Sequence, residues 1–392
     1  MHPATINRRI GTWLNTSAFG ETVRAYVPVP LPSEPPVDLS GLIGLLDKAN
    51  QALGRMDGIA CVLPDKAFYL YMNIRKEALI SSQVEGTQSS LADLLLVEGD
   101  EPPEESPMPD VEEVSSYLAA MQHGLTRLAE NFPLSLRLIR EMHGVLMAAG
   151  RGSHQNPGEF RTSQNWIGGT RPGNALYVPP PPERLMECLD NLEKFLHLER
   201  DDLPVLVQAG MAHVQFETIH PFLDGNGRIG RLLITLFLCV RGVLTDPLLY
   251  LSLYMKQNRT QYYELLQKVR TEGAWEEWLR FFLTGVADTA NDVVSTTRRI
   301  MALREMDRKK VENLGRAAVN GMRLFELLGR HPILSIPFAA RRLELSHQTC
   351  TKLFLHLASI GILHGDARQR GRIFRYTAYL SILSEGTEPI RP

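Results

Sequence analysis

Cysteine is scarce: 392 residues contain four, Cys61, Cys188, Cys239 and Cys350, and none stands in a C-x-x-C pair. That spacing excludes a zinc ribbon or a disulfide framework and leaves reduced core fillers as the expectation. An excess of one charge is also lacking, since 42 Lys and Arg against 44 Asp and Glu leave a net charge of -2. So balanced a chain has no global pull toward nucleic acid or an anionic membrane, and any basic patch must be local. Long apolar runs are missing too. The longest, Leu232 to Val240, falls far short of the roughly 20 residues needed to cross a bilayer. The opening MHPATINRRIGTWLN has no apolar h-region of a signal peptide. A soluble cytoplasmic protein with no membrane partner is therefore expected. There is no internal repeat. With 44% apolar and 22% charged residues, the chain can bury a core, and at roughly 150 residues per domain it fills two or three units.

What is present reads as a mainly α protein. Prolines at 28, 30, 32, 35 and 36 predict an extended N-terminal arm over 1–37 rather than a domain. From Ser40 the apolar positions 42, 43, 45, 46, 49 and 53 keep helical spacing, with Gly54 and Gly58 as stop signals. A second helical stretch is predicted from Pro64-Asp65 through Phe68, Tyr71, Ile74 and Ala78 toward Leu96, interrupted at Gly86. EGDEPPEESPMPD, from Glu98 to Asp110, is acidic and proline-rich and closes a region 38–110 as an exposed connection. Helices then follow over 111–131, 135–149, 182–198, 204–217, 227–242, 258–272 and 275–313, so that 111–313 forms the central domain. One segment departs from this pattern: Phe160 to Pro182 carries β-prone Asn165-Trp166-Ile167 and Leu176-Tyr177-Val178 between glycines and prolines, and predicts a β-hairpin. In 314–392 the order of three helices (322–329, 337–344 and one capped by Ser346), Gly361 and two β-prone stretches over 368–377 matches a winged helix-turn-helix. Ser346, His347, Gln348, Thr349 and Lys352, with Arg368, Arg370, Arg372 and Arg375, could meet DNA phosphates. A protein-docking or dimer module with a solvated wing is the equal alternative.

Chemistry concentrates in His220-Pro-Phe-Leu-Asp-Gly-Asn-Gly-Arg-Ile-Gly-Arg231. Gly225-Asn226-Gly227 gives successive N–H groups the freedom of an anion nest and opens a helix whose positive end faces the same way. Arg228 and Arg231, three apart, share a face of the first turn beside that phosphate cradle. Asp224 offers a hard oxygen for Mg²⁺ bridging phosphates. His220 stands where a general base could deprotonate a hydroxyl nucleophile. Phe222 between them reads as the core anchor of the loop.

The pattern resembles the signature of the Fic family, H-x-F-x-[D/E]-G-N-G-R-x-x-R, with every fixed position filled. Similarity extends over roughly 26–283, through Pro157-Gly-Glu-Phe-Arg161 and Asn258-Arg-Thr-Gln-Tyr-Tyr263. The resemblance implies a Fic-type helical core with a β-hairpin flap that moves AMP from ATP, with Mg²⁺, to a Ser, Thr or Tyr hydroxyl of a target protein and of the protein itself. It implies His220 as base, Asp224 as metal ligand, amides of the loop through Ile229 and Gly230 as phosphate donors, and Arg231 as receiver of the γ-phosphate. The flap would pin the target by strand addition, with Ile167, Gly168 and Gly169 bordering the nucleotide. Tyr262 and Tyr263 match the adenine and ribose pocket, with one of the two expected in the core. Relatives carrying lysine in place of Gly227 phosphorylate instead, so the glycine kept here implies AMP transfer; other nucleotides or phosphocholine serve some relatives.

Ser81-Ser-Gln-Val-Glu85-Gly86 fits the family's inhibitory signature [S/T]-x-x-x-E-[G/N]. On a helix Ser81 and Glu85 would share a face, and the resemblance implies that Glu85 pairs with Arg231 where the γ-phosphate belongs. Removal of AMP from the target by the same glutamate, a homodimer, and an ATP-sensing DNA-binding regulator stay open as alternatives.

Overall fold

In chain order the structure, a computed structural model describing residues 9–61, 66–99, 107–150, 152–367 and 371–389, starts with strands β1 (Thr12–Ala18) and β2 (Glu21–Val27). Helices α1 (Ile43–Cys61), α2 (Lys66–Val84), α3 (Leu91–Glu98), α4 (Met108–Ala129), α5 (Leu136–Leu146), α6 (Pro182–Leu196), α7 (Val205–Ile219) and α8 (Asn226–Val240) follow. Then come α9 (Ser252–Gln257), α10 (Arg259–Glu272) and α11 (Trp275–Glu312). The C-terminal part holds α12 (Ala318–Arg330), β3 (Ile333–Ser335), α13 (Ile336–Leu343), α14 (His347–Ser359), β4 (His364–Gly365), β5 (Ile373–Arg375) and α15 (Thr377–Leu383). The chain divides into two compact units, residues 1–57 with 116–290, and residues 58–115 with 291–392. Among the described residues no helix is long and apolar enough to cross a membrane.

In the first unit α7 is the central element: every residue from Leu206 to Ile219 is buried, so apolar residues occur on all its sides and Gln208, His213, Gln215 and Glu217 are buried among them. Trp278 donates its indole N–H to the Gly210 carbonyl at 2.9 Å. A Cβ at Gly210 would lie 2.9 Å from the Phe282 ring, so glycine permits that approach. Helix α8 follows α7 after one short loop, and that loop is the candidate site.

Several expectations change. Residues 12–27 are not an extended arm but a hairpin in the register Ala18↔Glu21. Phe19 (φ 51) and Gly20 (φ 80) form a two-residue turn with the twist that antiparallel strands favour, and the prolines begin only after it. Val23 and Ala25 of the hairpin pack on Val178, with Trp166 and Ala175 against them. Gly54 and Gly58 do not stop α1, which runs to Cys61; an interior glycine weakens a helix by about 1 kcal/mol but does not end it. Helix α8 begins at Asn226, not Gly227. The Phe160 to Pro182 segment carries one antiparallel bridge, Ile167↔Tyr177, rather than paired strands. A 3-10 turn at Pro172–Asn174 and positive φ at Gly168 and Gly169 take up the residues that a ladder would need. Cys188 and Cys350 are buried as expected, whereas Cys61 is exposed at the end of α1 and Cys239 is half-buried.

In the second unit α12, α13 and α14 are followed by a three-stranded antiparallel sheet in the order β3-β5-β4. Ser346 caps α14, its Oγ accepting the Thr349 N–H at 3.1 Å. The break at Gly86 between α2 and α3 is present. Gln83 is buried and donates through Nε2 to the carbonyls of Ser89 (2.9 Å) and Thr387 (2.8 Å). The Arg75–Glu98 ion pair (2.7 Å) ties α2 to α3. The start of the second helix at Pro64-Asp65, residues 100–106 of the acidic connection, and Arg368 and Arg370 lie outside the described residues.

Candidate active site

The site begins where α7 ends. His220 caps that helix in the left-handed conformation, φ 51 and ψ 62, which costs a non-glycine residue on the order of 1 kcal/mol. Its backbone N–H still donates to Phe216 O at 2.9 Å. The left-handed step turns the chain away from the helix axis and leaves the carbonyl outside the helix. Arg161 Nε donates to it at 2.9 Å and Asn165 Nδ2 at 3.4 Å.

Phe222, expected from the sequence to anchor the loop in the core, is fully buried. It stacks on His143 with centroids 3.7 Å apart and planes 6° from parallel. Its backbone is held at both ends: Asn226 Oδ1 accepts the Phe222 N–H and Asn226 Nδ2 donates to the Phe222 carbonyl, both at 2.9 Å. Asn165 Nδ2 donates to the same carbonyl at 2.9 Å. The loop is thus a small closed ring of amides around one phenyl side chain.

His143 connects this ring to the acidic residue. The Gly158 N–H donates to Nδ1 at 2.9 Å, so the proton sits on Nε2, which donates to the Asp224 carbonyl at 3.0 Å. Burial pushes this imidazole down to about 4, and the neighbouring Arg228 charge acts in the same direction. His213, beneath α8, is neutral for the same reason. Burial brings it to about 4, with Nδ1 on the Gly230 carbonyl (3.0 Å) and Nε2 on the Tyr262 hydroxyl (2.9 Å).

Gly225 takes φ 76 and ψ 4 and caps α8. Any Cβ there would press on Met147 Sδ at 3.0 Å. The first turn of α8 presents N–H groups that have no acceptor within the helix, at its positive end. Asp224 stands at this mouth with its side chain 45% exposed, its Oδ1 accepting from the Gly225 N–H (2.6 Å) and 3.5 Å from Arg228 Nη2. Gly152, at φ 83, approaches so closely that a Cβ would fall 2.4 Å from Asp224 Oδ2. No group of three His, Cys, Asp or Glu able to hold a metal occurs among the described residues. A lone half-exposed carboxylate fits Mg²⁺, which keeps waters and completes its octahedron on substrate phosphates. It does not suit a metal that needs a cage of protein ligands.

The structure therefore places His220, Phe222, Asp224, Gly225, Asn226, Gly227 and Arg228 around one turn, with Arg228 and Arg231 buried in the first turns of α8. Ile229 is core, and Gly230 lets α8 lie on α7, because a Cβ would meet Glu217 Oε1 at 2.5 Å. Tyr262 is the core member of its pair, 2% exposed and bonded to His213, whereas Tyr263 is 41% exposed. Gly168 and Gly169 are exposed beside the half-buried Ile167. Ser81 and Glu85 belong to the second unit. There α2 ends at Val84, so Glu85 is not one turn along the helix from Ser81. It sits in a turn closed by Glu85 N→Ser82 O and Gly86 N→Gln83 O, both 3.0 Å, with Gly86 at φ 103. The glycine ends the helix one residue early. Ser81 is buried and Glu85 exposed. The sequence reading gives His143, Arg161 and Asn165 no functional role, although Arg161 closes the Pro157–Arg161 stretch of similarity. The available signal was polarity at positions that helical spacing assigns to the core, as for His143 beside Ile139, Met142 and Leu146.

Residues 43–126 match the family profile described as Fic/DOC family N-terminal, and residues 133–238 match Fic/DOC family. Among named proteins the chain is 33% identical over 166 residues to a protein adenylyltransferase Fic of Drosophila grimshawi, covering 41% of this chain and 30% of that protein. A Culex quinquefasciatus protein of the same name is 30% identical over 245 residues, covering 60% and 44%. The chain thus spans less than half the length of these relatives. A crystal structure of a Fic family protein from Desulfovibrio desulfuricans G20 shares the fold with TM-score 0.57 at 20% identity, over 87% of this chain and 97% of that one. Fic-1 from C. elegans, residues 134–508, does so with TM-score 0.51 at 20% identity, over 65% and 73%.

Proposed function

We propose that this chain, which carries a Fic/DOC N-terminal region and a Fic/DOC domain, is a protein adenylyltransferase that transfers AMP from ATP to a Ser, Thr or Tyr hydroxyl of a target protein. The observation that carries it is the turn from His220 to Arg228. His220 opens the turn in a left-handed conformation, the half-exposed carboxylate of Asp224 lies within it, and a glycine-capped helix N-terminus follows. A sensor of ATP would need the cradle but not the base.

In this reaction the target hydroxyl oxygen attacks the α-phosphorus while His220 takes its proton. The bond from that phosphorus to the oxygen bridging toward the β-phosphate breaks, and pyrophosphate leaves. The N–H groups of the first turn of α8 receive phosphate oxygens, supported by the guanidiniums of Arg228 and Arg231. Asp224 would hold Mg²⁺, whose charge, when bound, offsets that of the phosphates. With Tyr262 committed to the core, Tyr263 is the aromatic residue left for the nucleotide. The single bridge of the 160–182 segment, with its exposed Gly168-Gly169, supports a role as the platform for target backbone.

Two further elements belong to this proposal. Glu85 acts as a brake by offering its carboxylate to Arg231 in place of the γ-phosphate; the signature Ser81-x-x-x-Glu85-Gly86 and the exposure of Glu85 support it. Residues 314–392 act as a winged helix, supported by the order α12-β3-α13-α14-β4-β5 and by exposed Ser346, His347, Gln348 and Lys352 on α14. Incubation of Glu85→Gly protein with ATP and Mg²⁺, followed by intact-mass measurement of the protein and of lysate partners, is expected to show gains of one AMP unit, more than in the parent. The same treatment of His220→Ala should give none while ADP binding persists. AMP transfer by His220→Ala would overturn the assigned base, and an absence of transfer by Glu85→Gly would overturn the reaction class.

A further inference from the structure

The C-terminal end of α7 is closed by side chains from outside the helix, each reaching one of its last carbonyls. Arg270 Nη2 donates to Glu217 O at 3.2 Å, and the Tyr177 hydroxyl to Thr218 O at 2.7 Å. Arg161 Nη2 donates to Ile219 O at 3.4 Å, and Arg161 Nε to His220 O at 2.9 Å. The Arg161 backbone N–H adds a bond to Pro221 O at 2.9 Å. Helix ends ordinarily leave these carbonyls to water or to a glycine-based cap. Here a non-glycine residue takes the left-handed position, and cationic donors sit at the negative end of the helix dipole.

The same guanidinium has other obligations. Arg161 is 3% exposed. Its Nη1 donates to Ser163 O (3.2 Å) and its Nη2 to Pro180 O (2.6 Å), the two roots of the 160–182 segment. These acceptors are all backbone carbonyls. Burial lowers its pKa to about 10, which still leaves the group charged at neutral pH. One rigid planar fork therefore fixes the backbone of the imidazole residue and both ends of the segment that carries Ile167 and Tyr177.

We propose that Arg161 is a positioning residue that holds His220 in its left-handed conformation and sets its register against the 160–182 platform. The inference rests on the reading of His220 as base. Without the fork the carbonyl of His220 would lose its principal donor, and residue 220 would relax toward an ordinary helical or extended conformation and carry the imidazole off the line of attack. The nucleotide cradle is built by a different set of residues, Asn226, Gly225 and His143, so its shape would survive. The expected signature is a loss in turnover without a loss in nucleotide binding. A residue that merely supported the core would weaken both together.

The test uses the full chain carrying Glu85→Gly, which lifts the proposed brake and serves as the parent, with Arg161→Lys, which keeps a cation but cannot donate in four directions, and Asn165→Ala, which removes the lateral donor to His220 O and Phe222 O. AMP transfer is measured by mass shift, and binding by calorimetric titration with ADP and Mg²⁺. In Arg161→Lys kcat should fall on the order of 100-fold, the loss expected for a displaced reacting group. The ADP Kd should stay within about twofold of the parent, and a crystal structure should show residue 220 outside the left-handed region. Asn165→Ala should show the same split at several-fold, and it carries the test should Arg161→Lys fail to fold. Unchanged kcat, a parallel loss of ADP affinity, or residue 220 still left-handed in a variant would overturn the proposal. If the Glu85→Gly protein transfers no AMP to any protein, the functional reading fails instead, and the conformation of residue 220 alone decides the positioning role.

Discussion

Acidification should weaken the first unit well before its carboxylates titrate. His143 and His213 are both buried there, each with a pKa near 4 against about 6.5 for an unfolded imidazole. The folded-state values lie below the unfolded one, so the unfolded chain binds protons first as the pH falls. The stabilisation is complete above about 6.5 and disappears toward 4. Between pH 7 and pH 5 each imidazole removes about 2 kcal/mol, and the two together roughly 4 kcal/mol. That is a large share of the usual 5–15 kcal/mol of a folded domain. Carboxylates held low, such as Glu141 by hydrogen bonds from His123, Arg127 and Arg137, act only at lower pH. All four tryptophans, Trp13, Trp166, Trp275 and Trp278, belong to this unit, and Trp278 lies with its ring centroid 5.9 Å from that of His213. Urea unfolding followed by tryptophan fluorescence at pH 7, 6 and 5 therefore reads the right unit. His143→Gln should halve the difference between pH 7 and pH 5. A difference under about 1 kcal/mol in the parent, or no change in the variant, would refute the assignment of neutral buried imidazoles.

Other perturbations address the loop itself. Gly152→Ala places a methyl 2.4 Å from Asp224 Oδ2 at a φ of 83, so a Mg²⁺ titration of transfer should show the half-saturating concentration raised about tenfold. An unchanged value would separate Asp224 from the metal. Phe222→Ala removes the ring stacked on His143 and should lower stability by roughly 3–5 kcal/mol, measured as a shift of the fluorescence transition. A loss under about 1 kcal/mol would mean that the amide ring holds the loop without its phenyl centre.

The sequence was most legible where periodicity was long. Helices α4, α5, α6, α7, α10 and α11 end within a few residues of the boundaries that apolar spacing predicts, because each buries one stripe or, for α7, every face. The local geometry of the 220–231 turn was legible in part, because the glycine at 225 takes the positive φ that opens α8. Tertiary partners were not. His143 meets residues 15 and 81 positions away, and Arg161 meets carbonyls 58 and 59 away, so local spacing contains neither contact. The N-terminal hairpin was hidden for a different reason. Its turn uses Phe19 in a left-handed conformation, which residue type alone disfavours, and the prolines after it dominate the local signal. Glu85 fell outside α2 because Gly86 adopts a positive φ that closes the helix a residue sooner.

The second unit assembles residues 58–115 with 291–392, and the amide of Gln83, two positions before Glu85, spends one of its protons on Thr387 near the far end of the chain. Shortening the protein at its C-terminus would thus withdraw an anchor from the very helix that bears Ser81. A truncated form that gains activity would report the loosening of that anchor as much as the departure of any surface for a partner.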